Sequence, residues 1–309
     1  MSFSLQVKKE LSQAVPYAPC CEAAQAYGLL LFGRHFACDA VSILTEHECV
    51  ANTYERAMNE TVGAKVRSQQ TDAGNYIISA ATASGRRKIL KFFSSDGDIT
   101  LRVNRANLPN ESPDELNCCF SAFLRGAFLS CGTISDPNKN YHLEFDVPHK
   151  KLAEDLIKVI SEVGFTAKLS GRRGSYVVYF KESGMIEDML TFMGAPLSSM
   201  EFMQITMYKS LRNKINRRNN FDTANISRTA DAAAKQIAAI QKIMESGKLD
   251  SLPLPLRQVA RMRIENCDMS LSDIGSSLTP PVSRSGVNHR LAKIISIADN
   301  LEKDADKTQ

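Results

Sequence analysis

The chain has no hydrophobic run long enough to cross a bilayer or to form the core of a signal peptide. Neither membrane insertion nor secretion is expected, and the protein should stay in the cytosol. It also lacks any Cys-x-x-Cys pair, and its 5 histidines are scattered over 309 residues. The spacings that mark zinc fingers and zinc ribbons are therefore missing. No glycine-rich phosphate loop is present, which removes the usual nucleotide-binding classes. Net charge is low as well, at +4, but it is unevenly spread.

What is present fits a folded protein of two or three domains. The apolar content of 43% is ordinary and argues against wholesale disorder. Eight cysteines in a cytosolic chain read as reduced, buried, small apolar residues. Two doublets, Cys20-Cys21 and Cys118-Cys119, stand beside the single Cys38, Cys49, Cys131 and Cys267. Sequence neighbours make poor chelators, so core packing is the reading and no metal or cofactor is expected. Met1 to Leu11 reads as a short amphipathic helix with Ser4 suited to its N-cap.

The charge imbalance lies between the two ends. Residues 209–309 hold 17 Lys and Arg against 11 Asp and Glu, and residues 1–208 hold 21 against 23. Lys209, Arg212, Lys214, Arg217 and Arg218 fall within ten residues with no acid among them. That run suits a phosphate-binding track or the solvated face of a linker helix. The asparagine-rich stretch Asn216 to Asn225 suits a structural tie between linker and C-terminal helices.

The first two hundred residues contain an internal repeat. The cysteine doublets are 98 residues apart, and so are Gly28 and Gly126. Val50, Tyr54, Ala57 and Met58 match Leu152, Leu156, Val159 and Ile160 at an offset of 102; Tyr76-Ile77-Ile78 matches Tyr176-Val177-Val178 at 100. Three matching segments in the same order point to duplication, with small loop insertions producing the drift. Each copy reads as helix, extended segment, helix, two strands, helix. In the second copy Ser112-Pro113-Asp114-Glu115 has the composition of a helix start. A helix follows to Gly132, then a strand from Tyr141 to Val147. The helix after Pro148 ends at Gly164, and Phe165 to Leu169 pairs with Tyr176 to Phe180 across Ser170 to Gly174. Helices packed on one face of mostly antiparallel sheets give an α+β class.

After Pro196 the pattern is helical throughout. Met200 to Ile215 reads as one helix and the alanine-rich Asp222 to Met244 as another, with Asp304 to Gln309 a frayed polar tail. Leu271, Ile274 and Leu278 mark a short helix, Thr279-Pro280-Pro281 breaks it, and a second helix opens near Ser283 and runs to about Leu301. Its apolar stripe is Val287, Leu291, Ile294, Ile295 and Ala298. Its outer face presents Ser285, His289 and Lys293, flanked by Asn288 and Arg290. Two helices joined by a tight turn make a helix-turn-helix, and double-stranded DNA is the expected partner. Arg284, Asn288 and Arg290 suit base edges. Ser283 and Ser285, at the helix start, suit phosphates, although Ser283 suits an N-cap equally well. His289 suits a phosphate contact. Lys293, Lys214, Arg217 and Arg218 complete the candidate DNA-binding set.

Leu124-Arg125-Gly126-Ala127-Phe128-Leu129-Ser130-Cys131-Gly132 and Ala26-Tyr27-Gly28-Leu29-Leu30-Leu31-Phe32-Gly33 are apolar helices carrying glycines. Glycine costs a helix interior about 1 kcal/mol, so each suggests close approach of a second backbone. This pairing resembles the LAGLIDADG homing-endonuclease fold in its two-repeat form. In that family an acidic residue just before the final glycine holds the catalytic metal. Cys131 and Gly33 stand at that place, and neither supplies a hard oxygen ligand. The resemblance implies a retained scaffold and lost cleavage chemistry.

A degenerate double repeat followed by a helix-turn-helix resembles the WhiA family over nearly the whole chain. The most specific segments are Phe123 to Leu129 with Gly132-Thr133-Ile134-Ser135-Asp136-Pro137, Asn216 to Asn225, and Pro280 to Leu291. The resemblance implies a non-enzymatic, nucleoid-associated DNA-binding regulator of transcription, acting in sporulation control, cell division and chromosome segregation. RNA polymerase or another regulator is an expected partner of the repeat domain. The alternatives are a metal-dependent endonuclease using displaced acids such as Asp136 or Asp39, and a ligand-gated sensor. The implied organisation is 1–105 for the arm and first repeat, 106–205 for the second repeat, and 206–309 for the linker helix and helix-turn-helix.

Overall fold

The computed structural model describes residues 2–94, 101–110 and 117–306. Two compact units divide the chain, Met1–Leu211 and Arg212–Gln309.

In the first unit, α1 (Phe3–Gln13) is capped by Ser2, whose Oγ accepts the Leu5 N–H at 3.2 Å. Ser4, expected as the cap, lies inside the first turn instead. The first repeat then runs α2 (Pro19–Leu31), β1 (His35–Phe36), β2 (Val41–Thr45), α3 (Glu48–Arg56), β3 (Val66–Gln70), β4 (Tyr76–Ala80) and α4 (Ala83–Phe93). The second runs α5 (Cys118–Cys131), β5 (Gly132–Ile134), β6 (Leu143–Val147), α6 (Lys150–Glu162), β7 (Lys168–Arg172), β8 (Ser175–Phe180) and α7 (Ser183–Met193). The sheets have the same antiparallel order, β1-β2-β4-β3 and β5-β6-β8-β7. Even the register repeats: Tyr76 faces Thr45, and Tyr176 faces Val147. The α+β class and the duplication therefore stand. The helix start at Ser112 to Glu115 lies outside the described residues.

The differences from the sequence reading are local. Strands β1 and β5 span two and three residues, too short to leave a two-residue period in the sequence. The Tyr141 to Val147 strand begins at Leu143. β7 sits three residues later than the pattern suggested, because Gly171 and Arg172 pair with Tyr176 and Ser175 rather than forming the turn. Cys38 and Cys267 are exposed, not buried.

A single helix, α8 (Pro196–Glu245), replaces the two helices expected from Met200 to Met244. Neither glycine nor proline interrupts it after Pro196, so the asparagine run had no means of ending it. Asn216 to Asn225 are all exposed within this helix, where Arg218 approaches Asp222. The second unit is completed by α9 (Leu254–Glu265), α10 (Leu271–Ser277) and α11 (Arg284–Asp306). α11 extends through Asp306, beyond the expected start of fraying at Asp304; residues 307–309 lie outside the described residues. Ile240, Ile243, Val259, Ile274, Val287, Leu291 and Ile294 form the core of this unit.

Candidate nucleic-acid interface

At the centre of the first unit α2 and α5 meet through glycine. A Cβ on Gly28 would stand 2.2 Å from the Phe123 carbonyl oxygen, and one on Gly126 would stand 2.2 Å from that of Gln25. Only glycine allows α2 and α5 to approach so closely. Ser130 Oγ adds a 2.5 Å hydrogen bond to the Leu29 carbonyl. At the end of α5, burial pushes the Cys131 thiol up to about 12. The charge that counters this most is the buried Lys8 of α1. A lysine there repels a divalent cation rather than helping to hold one. Asp39 and Asp136 serve their own loops: Asp39 Oδ1 accepts the Ala40 N–H at 3.0 Å, and Asp136 Oδ1 accepts Asn138 at 2.9 and 3.1 Å.

On the second sheet a cation is already paired with a carboxylate. Arg172 lies in β7 and donates to both oxygens of Glu144, at 3.1 and 2.7 Å. Glu144 also bonds His142 Nε2 at 2.8 Å and remains below its ordinary value despite partial burial, through Arg172 and His142. Asp146 stands exposed on the same face, two residues along β6.

The helix-turn-helix has the opposite character. Ser270 caps α10, accepting the Asp273 N–H at 3.2 Å and donating to its carboxylate at 2.7 Å. Gly275 makes the turn possible, because a Cβ there would lie 2.1 Å from the Val282 carbonyl oxygen. Val282 N–H returns a 2.9 Å bond to the Gly275 carbonyl. Ser283 Oγ accepts the Gly286 N–H at 3.2 Å and lies 3.0 Å from Ser285 Oγ, so it caps α11. The apolar stripe falls as its spacing required: Val287, Leu291, Ile294 and Ala298 are buried.

That stripe turns the polar residues outward. Ser283, Arg284, Ser285, Asn288, His289 and Lys293 are exposed, and Arg290 is half-buried. Among the described residues, Arg284, Arg290 and Lys293 have no ion-pair partner. Lys214, Arg217 and Arg218 are exposed on α8, where Arg218 approaches Asp222 at 4.0 Å. Lys209 does not belong with them, since its Nζ donates to Pro137 and Asn138 carbonyls at 3.1 and 3.2 Å and lies over the Tyr141 ring.

A groove of about 750 Å³ runs beside the start of α11, lined in part by Arg228, Gln236, Arg263, Arg284 and Asn288. Arg263 Nη1 holds the loop before α10 through the carbonyls of Cys267 and Met269, at 3.3 and 2.7 Å. Arg228 and Arg263 were not singled out from the sequence. Arg228 continues the basic series of α8, and that spacing was the available signal. Arg263 had none, since its role depends on a loop fold.

These features define a class: a helix-turn-helix module joined to a duplicated α+β domain of LAGLIDADG type. The family model described as the WhiA C-terminal HTH domain matches residues 215–298, and that of the WhiA LAGLIDADG-like domain matches residues 120–212. The chain is 35% identical over 316 residues to the "Probable cell division protein WhiA" of Alkaliphilus metalliredigens, covering 97% of this chain and 98% of that one. It is 36% identical over 319 residues to the protein of the same description from Clostridium botulinum, covering 98% and 99%. The crystal structure of full-length WhiA from Thermotoga maritima shares the fold, with a TM-score of 0.59 and 24% identity over 97% of this chain and 99% of that one. The chain belongs to the WhiA family. Among the described residues, no helix is long and apolar enough to cross a membrane.

Proposed function

We propose that this protein is a non-enzymatic regulator whose α11 enters the DNA major groove, with Arg284 and Asn288 reading base edges. The observation that carries this is the exposed first turn of α11, where polar and cationic side chains without ion-pair partners among the described residues stand over a buried apolar stripe. Arg bidentate to guanine and Asn bidentate to adenine each provide roughly 1–3 kcal/mol of discrimination. Ser283, Ser285, His289, Arg290 and Lys293 flank them as phosphate and base contacts. Lys214, Arg217 and Arg218 add phosphate contacts that carry no sequence information.

The repeat domain serves as a partner platform for RNA polymerase or another regulator. Glu144 and Asp146 on its second sheet favour a protein partner over a polyanion. The names of the relatives support a role in cell division, and the family resemblance extends it to sporulation control and chromosome segregation from a cytoplasmic, nucleoid-associated location. The unit boundaries support a division near residues 206–212 between repeat domain and DNA-binding domain.

Competition binding with a duplex selected from random sequence tests the reading. Arg284→Ala with Asn288→Ala should erase the preference for the selected duplex over random DNA. Lys214→Ala with Arg217→Ala should weaken binding to both and reduce the slope of log K against log salt by about two. Undiminished preference in the first variant overturns the assignment. Plasmid cleavage with magnesium or manganese, lost in Asp136→Ala, would overturn the non-enzymatic reading.

A further inference from the structure

The duplication has a chemical consequence at the other end of the central helix pair. Cys20 and Cys21 lie in the first turn of α2, directly after Pro19, and Cys118 and Cys119 open α5. The close approach of the two helices at Gly28 and Gly126 brings these turns together. All four sulfurs lie within 4.8 Å of one another. Within the doublets, Cys20 Sγ and Cys21 Sγ are 4.0 Å apart, and Cys118 Sγ and Cys119 Sγ are 3.8 Å apart. We propose that Cys20, Cys21, Cys118 and Cys119 bind one zinc ion, shared between the two repeats.

The dimensions are those of a tetrathiolate site. A Zn–S bond of about 2.3 Å gives a tetrahedron whose sulfur-to-sulfur edge is about 3.8 Å. The two doublets already approach that edge, and the widest separations exceed it by roughly 1 Å, within reach of small side-chain rotations. Four soft sulfur donors in a tetrahedral arrangement select zinc over magnesium or calcium. Adjacent cysteines on one helix diverge and chelate poorly, which is why the doublets read as core packing in the sequence. Two doublets facing each other across a pseudo-two-fold axis avoid that difficulty, each supplying half of the coordination sphere.

The surroundings suit a negative centre. A zinc tetrathiolate carries a net charge of −2, and several groups offset it. The N-cap of α2 makes no side-chain hydrogen bond, so the positive end of that helix is left for Cys20 and Cys21, whereas at α5 the Asn110 Oδ1 already accepts the Cys119 N–H at 2.9 Å. The Asn110 backbone N–H already donates to Cys119 Sγ at 3.3 Å, the kind of contact that orients a metal thiolate. Arg125 is 3% exposed and its Nε has no hydrogen-bond partner among the described residues. A buried guanidinium in that position needs an anion nearby. Three of the sulfur ligands belong to buried residues, while Cys20 is half-buried and leaves a way in for the ion. Binding converts four thiols to four thiolates and releases four protons, so affinity falls as pH is lowered.

The test uses the full-length protein, purified with reductant but without chelator. Elemental analysis should find one zinc per chain that survives dialysis. Replacement by cobalt should give the visible bands and strong sulfur-to-metal charge transfer of a tetrahedral tetrathiolate. Cys20→Ser should lose the bound metal, whereas Cys38→Ser and Cys267→Ser should keep it. Zinc removal by a strong chelator should lower Tm, and added zinc should restore it. Zinc-free protein whose reduced thiols yield no tetrathiolate spectrum with cobalt would overturn the proposal. So would intact mass showing two disulfides among these cysteines in freshly purified protein, or a Cys20→Ser variant that holds zinc as the parent does. The cobalt spectrum of the parent needs no variant to fold.

Discussion

The helix pair α2–α5 in the first unit and the pair α10–α11 in the second both depend on a glycine whose Cβ would collide with a facing carbonyl. At Gly28 and Gly126 the approach is 2.2 Å, and at Gly275 it is 2.1 Å. Beyond this the pairs differ. α5 buries nearly every side chain from Cys118 to Leu129, and Gly132 closes its end with no acid in front of it. α11 buries only one stripe and keeps its first turn in solvent. Several cations of the first unit are engaged: Arg172 by Glu144, Arg102 by Asp155, and Lys209 by two carbonyls. Those on α11 have no such partners among the described residues. A close helix crossing thus serves as a scaffold where both helices are enclosed, and as a recognition element where one face is left wet and unneutralised.

The largest effect should come from Gly126→Ala. Its new methyl meets backbone on both sides, so stability should fall by roughly 3 kcal/mol, read as a lower urea midpoint. Gly184→Ala is the control, because nothing lies within 4 Å of its Cβ position; it should be neutral or gain up to about 1 kcal/mol. Equal midpoints for the two variants would remove the scaffold half of the comparison.

Gly275→Ala should cost roughly 2 kcal/mol, confined to the second unit, and reduce DNA affinity by about tenfold or more. If affinity holds while stability falls, the turn positions α11 less tightly than its geometry implies.

The smallest effect concerns pH. The Asp155 carboxyl is held below its ordinary 3.8, mainly by its hydrogen bond from Arg102 and further by the Val103 N–H. A depressed carboxylate stabilises the fold above its unfolded value and loses that contribution as pH falls through the folded one. Asp155→Asn should therefore flatten the acid limb of the stability curve below pH 3.8 and leave DNA binding at neutral pH unchanged.

The duplication and the helix-turn-helix were legible because both rest on periodic burial. Val50 and Tyr54, like Leu152 and Leu156, are buried at matching positions, and the spacing of Val287, Leu291 and Ile294 named the buried face of α11. Features set by contacts between distant residues were hidden. The pairing of Arg172 with Glu144 left no sign in the sequence, because the two lie 28 residues apart. The cap of α1 was misplaced by two residues since Ser2 and Ser4 are chemically alike. The asparagine run looked like an interruption, but no glycine or proline enforced one. The cysteine doublets look unrelated along the chain, and only the pairing of the repeats brings them together.

The crossing of α2 and α5 is reciprocal in a way that limits how the two halves can drift. Gly28 meets the backbone at Phe123 while Gly126 meets it at Gln25, and Gln25 and Phe123 occupy equivalent places in the two copies. The contact partners are main-chain atoms, so a glutamine and a phenylalanine can stand at equivalent places without disturbing either meeting. Each half is thereby at liberty to acquire its own chemistry through side chains, provided both glycines remain, since losing either one unseats the copy that did not change.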